Sequence, residues 1–131
     1  SVILDSHEMG LWYLFAQGSV RDTYVENTSQ SPQGEYGLAD GFLATSSTVD
    51  VENLVSRDNE RAGVLYDQSD GELSGSFITG NGIGVLDQGE PGATIAPDLL
   101  VQGNQKNFLQ NETLEIPQEE MDLPAPPVVA Q

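Results

Sequence analysis

Between residues 61 and 95 the sequence alternates short apolar runs with clusters of Gly, Asp and Asn, and this alternation limits the chain more than any other feature. The runs lie at 64–66, 73–78, 83–86 and 93–95, and the clusters at 67–71, 79–82 and 87–92. Each run is too short for a buried helix. The clusters supply Gly or Asn where a tight turn needs positive φ, at the spacing of roughly 8 to 12 residues that marks antiparallel sheet proteins. The expected fold is all-β, a single antiparallel sandwich or barrel-like domain with a β-meander at 64–95. Leu65, Leu73, Phe77, Ile83 and Val85 are its expected buried positions, with Leu73, Gly75 and Phe77 on one face because strand side chains repeat every two residues.

Before the meander, residues 11–16 form the densest apolar run, Leu-Trp-Tyr-Leu-Phe-Ala, ended by Gly18. Three aromatics so close together suit a strand buried on both faces or one that meets a neighbouring subunit. Residues 19–26 read as a half-exposed strand, with Val20 and Tyr24 on one side and Arg21, Thr23 and Val25 on the other. Residues 27–35 are wholly polar and read as a surface loop. At 50–61 the spacing of Val51, Leu54 and Val55 predicts at most one short helix with Gly63 as its C-terminal stop; β-branched residues at 48–51 favour a strand instead. Residues 98–102 read as a strand, and Phe108-Leu109 with 113–116 as a last hairpin or edge pair. No internal repeat of 20 to 50 residues stands out. The domain boundary is drawn at Pro117: a β domain over 1–116, then an extended, acidic, Pro-rich arm over 117–131.

Composition narrows the function. With 21 Asp and Glu against four Lys and Arg, the formal net charge is −17. Too few cations are present to replace the counterions of phosphate, so nucleic acid and anionic membranes are not expected partners. The charge also suits a salt-rich environment, where self-repulsion is screened. There is no cysteine, which removes disulfides and thiolate metal sites. No apolar run approaches the roughly 18 residues of a membrane span, nor does the start resemble a signal peptide, and a soluble, mature chain is expected.

No catalytic constellation emerges. His7-Glu8 begins like the zinc-protease HExxH pattern, but position 11 is Leu, so the second ligand is missing. Ser74 and Ser76 lack the glycine of a nucleophile elbow two residues upstream. Gly80-Asn81-Gly82-Ile83-Gly84 is followed by strand-like sequence rather than the helix that a phosphate cradle requires. Asp67, Asp70 and Glu72 do not follow the calcium-loop order, and an acidic turn accounts for them. Asn27 and Asn111 each open a glycosylation acceptor pattern, short enough to arise by chance.

These readings converge on a non-enzymatic structural subunit of a repeating assembly, with no cofactor and no metal. Its partners are copies of itself and other subunits, and its setting a virion or an extracellular surface. The first form is a virion decoration or minor capsid protein from a salt-rich environment; the second is an extracellular filament or surface-layer subunit whose N-terminal strand completes a neighbour's sheet. Leu11, Trp12, Tyr13 and Phe15 are the expected interface residues in the body, and Val128 and Val129 in the arm. From another class comes a carbohydrate-binding β-sandwich with Trp12, Tyr13, Tyr36 or Tyr66 as stacking platforms.

Overall fold

The computed structural model describes residues 1–30 and 38–110. Twelve strands fill most of this length, and no helix occurs among the described residues. Every strand pair among them is parallel. β1 (Val2–Leu4), β3 (Gln17–Glu26), β5 (Thr48–Arg57), β7 (Glu72–Ser74), β8 (Phe77–Thr79), β10 (Thr94–Ile95) and β11 (Leu100–Gln102) form one sheet. β2 (Met9–Leu14), β4 (Asp40–Thr45), β6 (Ala62–Asp67), β9 (Ile83–Gln88) and β12 (Lys106–Gln110) form the second, in the order β12-β9-β6-β4-β2. The chain passes from one sheet to the other and back, each strand pairing with its counterpart one circuit later, as in Phe42 opposite Val64 and Val51 opposite Leu73. The molecule is a stack of coils, a β-solenoid, in which each coil packs mainly on its neighbours.

This overturns the antiparallel sandwich or barrel and the meander expected at 64–95. The strands of that stretch exist, but β6 pairs with β4 and β9, and β7 with β5 and β10, instead of with each other. The turn clusters are corners that redirect the chain to the other sheet. The helix expected at 50–61 is also absent: Thr48–Arg57 is strand, as the β-branched residues favoured. An unrecognised repeat explains both errors. Asparagines at one corner are 22 and 23 residues apart, and one circuit stretches to 31 because it includes residues 31–37.

Left-handed backbone marks the corners. Where the long sheet bends, Asp22, Asn53 and Gly75 have φ of 50°, 57° and 56°. At the next corner Asp5, Asn27, Asp58, Gly80 and Gly103 stack in the same conformation, and at the third Phe15, Ser46, Gln68 and Gly89. A left-handed residue inside a strand upsets the two-residue alternation. Leu73 and Ile78, on either side of Gly75, are both fully buried, whereas Phe77 and Ile83 are only half-buried. Val20, Thr23 and Val25 likewise all face inward around Asp22, against the expected division of that strand.

The core lies between the sheets. Phe42, Val64, Tyr66, Val49, Val51, Leu54, Leu73 and Ile78 are fully buried there, with the rings of Tyr13, Phe42 and Tyr66 in tilted contact. Leu43, Leu65 and Leu86 belong to a second buried cluster, against which Met9, Trp12, Ile83 and Leu109 pack. Corner amides are satisfied by side chains of the next coil. Thr28 N donates to Asn59 Oδ1 at 3.0 Å, Asn59 N to Asn81 Oδ1 at 2.9 Å and Asn81 N to Asn104 Oδ1 at 2.8 Å. Asn59 and Asn81 side-chain amides donate along the same ladder. At the third corner Ala16 N donates to Ser47 Oγ and Ser47 N to Ser69 Oγ. Glycine is required beside the asparagine ladder, since a Cβ on Gly63 would lie 2.6 Å from Asn81 Nδ2 and 2.7 Å from Ile78 Cγ2.

One ion pair is sealed among these coils. Asp40 is fully buried, and its carboxylate accepts from Arg61 Nε at 2.9 Å, Arg61 Nη2 at 2.6 Å and Ala62 N at 3.1 Å. Burial pushes its carboxyl above the usual range, and the guanidinium and the amide pull it back.

Candidate interface at the two ends of the stack

A stack of parallel strands has an edge at each end, where N–H and C=O groups lie in the plane of the sheet without a strand to meet them. Among the described residues, β1 at one end pairs only with β3, and β2 only with β4. At the other end, among the described residues, β10, β11 and β12 pair only with β7, β8 and β9. Apolar exposure follows the same division. The exposed large hydrophobic residues among the described ones are Val2 (68%), Leu4 (53%) and Phe15 (63%) in the first coil, with Leu100 (51%) and Phe108 (52%) in the last. None comes from a middle coil.

Among the described residues the core is also open at the last coil. A cleft of about 340 Å³ lies there, lined by Val85, Asp87, Ile95, Phe108, Leu109 and Gln110. Phe108 occupies the row of Phe42, Val64 and Val85, so its ring belongs to the inner face but has no described coil beyond it. Asp87 is held beside this cleft by Ala93 N, and desolvation raises its pKa from the usual 3.8 against the pull of that amide.

The expected interface residues divide. Leu11 and Tyr13 are half-buried against the inner core, and Trp12 against the second cluster, its Nε1 donating to Thr45 Oγ1 at 3.3 Å. Only Phe15 stands out, at a corner with φ 52°. Val128 and Val129, with the whole arm 117–131 and its boundary at Pro117, lie outside the described residues. Val2, Leu4, Leu100 and Phe108 are exposed as well, and the sequence alone does not single them out. Their common signal is position on an edge strand, which cannot be read without the pairing scheme.

Other chemistry finds less support. His7 Nδ1 lies 3.2 Å from Ser29 Oγ on the exposed side of the first coil, and no described carboxylate hydrogen-bonds the ring. No group of three or more His, Cys, Asp or Glu is placed to hold a metal among the described residues. Asp70 instead accepts from Thr48 Oγ1, which ties two coils together. Of the proposed sugar platforms, Tyr66 is fully buried with its hydroxyl donating to Val49 O at 2.9 Å, and Tyr36 lies outside the described residues. A shallow groove of about 720 Å³ follows the third corner from Phe15 to Pro91, lined mostly by hydroxyl and carboxamide side chains. Comparison with protein-family models, with curated proteins and with solved structures finds no match.

Proposed function

We propose that this domain is a non-enzymatic structural subunit of a repeating assembly. The observation that carries the reading is the concentration, among the described residues, of unpaired strand edges and exposed apolar side chains at two opposite ends of one stack. A stack whose middle is satisfied and whose ends are not suits a unit that is joined at its ends. The same observation favours the filament or surface-layer form over the virion decoration, because opposed ends extend along a line. The carbohydrate-binding alternative is weakened by the burial of Tyr66 and the division of Trp12 and Tyr13 between two clusters.

Sedimentation velocity of the full chain over a wide concentration range tests the reading. Growth to multiples of 14.0 kDa is expected, with more assembly at high salt, where repulsion among −17 formal charges is screened. A monomer at every concentration and salt, retained on a polysaccharide column, would overturn it in favour of a binding module.

A further inference from the structure

We propose that the C-terminal edge of one copy docks onto the N-terminal edge of a second copy, so that β11 continues into β1 and β12 into β2 in parallel register. This rests on the structural reading above and names the partner and the joint.

The register inside the chain defines the joint. Val2 lies opposite Tyr24, Tyr24 opposite Val55, Val55 opposite Phe77 and Phe77 opposite Leu100, so Val2 and Leu100 are the two ends of one row. In the second sheet Leu11, Phe42, Val64, Val85 and Phe108 form another such row. Adding a copy in the same register puts exposed Leu100 beside exposed Val2 of the second copy. It also puts the ring of Phe108, above the cleft, beside half-buried Leu11. Apolar side chains meet in both rows, and the cleft that holds Ile95 and Phe108 is closed.

The main chain selects this pairing over the alternatives. Among the described residues every strand runs parallel to its neighbours, so the first and last edges present complementary N–H and C=O patterns to each other. Two like edges could meet only antiparallel about a two-fold axis, which would break both rows. Charge agrees with the choice: Lys106, the only lysine, stands on the last edge in the row that ends at Met9, next to Glu8. The bend-side limb of the long sheet has four strands, β3, β5, β7 and β10, where the other limb and the second sheet each have five. The joint is therefore made by β11 with β1 and by β12 with β2. A head-to-tail joint of this kind does not close on itself and builds a filament. Five strands at about 4.8 Å give a rise of about 24 Å per copy.

The absence of native cysteine permits a direct test on the full chain. Val2→Cys and Leu100→Cys are made separately, at exposed positions. Within one copy these residues are four strand spacings apart, about 19 Å, beyond disulfide reach, whereas neighbours across the joint would be about 4.8 Å apart. Mixing the two variants under mild oxidation should give the mixed Val2–Leu100 dimer at least fivefold faster than either variant forms a homodimer. The double variant should give a ladder of covalent oligomers. Homodimers that dominate, or no cross-link in a chain that assembles by sedimentation, would overturn this joint and leave the structural reading standing. A chain that neither assembles nor cross-links would overturn both.

Discussion

The middle coils and the end coils are built from the same rows of residues, yet their states differ. β4 and β6 are buried at every position, while β1 and β11 each have one half-buried residue between two exposed ones. Tyr66 and Phe108 show the contrast on equivalent inner faces: one is sealed by coils on both sides, the other is half exposed. Neither the residue type nor the strand geometry makes the difference. Among the described residues a middle coil has two neighbouring coils, and each end coil has one.

That comparison can be broken most forcefully in the middle. Phe42→Ala removes a fully buried ring in contact with Tyr13 and Tyr66, and should cost about 3 to 5 kcal/mol in denaturant unfolding. Phe108→Ala should cost less than about 1 kcal/mol, as expected of an exposed position. Equal losses at the two sites would mean that the ends are as tightly packed as the middle. Arg61→Ala should be comparably severe, at about 3 to 5 kcal/mol, because it strands the buried Asp40 carboxylate. Arg21, whose contact with Glu52 is largely exposed, should tolerate the same change within about 0.5 kcal/mol.

The asparagine ladder gives a smaller, graded version of the contrast. Asn81→Ala removes the acceptor for Asn59 N and for the Asn59 amide, and should cost about 1 to 3 kcal/mol for each buried donor left unsatisfied. Asn104→Ala, near the open end, should cost less because its neighbourhood is only part-buried and water can take its place.

Gly75 sharpens the account of the corners. Two-residue alternation would set Gly75 on the buried face of Leu73, but a Cβ there would meet nothing closer than Asp98 Oδ2 at 3.7 Å, so Gly75→Val would not overpack the core. The cost instead comes from φ of 56°, about 1 to 2 kcal/mol, and Gly75→Asn should recover much of it because Asn53 holds the same conformation one coil earlier.

The smallest effect expected is a pH dependence at the open end. Because the folded pKa of Asp87 is raised from 3.8, its contribution is most favourable below that value and is lost as pH rises through the folded pKa. Lowering the pH toward that window should therefore raise the unfolding midpoint of the native chain more than that of Asp87→Asn. Parallel profiles would remove Asp87 from the account.

Much of the secondary structure was legible in the sequence. Short apolar runs became strands, and Gly-Asp-Asn clusters became corners. The direction of the strands was not, because a corner and a hairpin turn use the same residues for the same reason, positive φ. The repeat was concealed twice over: Thr28 stands where later coils have Asn59, Asn81 and Asn104, and one circuit is 31 residues long where the next two corner steps are 22 and 23. With the strand direction hidden, exposed apolar residues at the edges stand out only where they are aromatic. Phe15 was picked out, whereas Val2 and Leu100 are ordinary residues made unusual by their place at an edge.

Amide hydrogen exchange, resolved by coil and compared between dilute and concentrated full-length protein, tests this account most directly. The account predicts slow, concentration-independent exchange in β4, β5 and β6, and exchange in β1, β2, β11 and β12 that is fast when dilute and slows together on concentration. Uniform protection along the stack, or ends whose exchange ignores concentration in a chain that assembles, would contradict it.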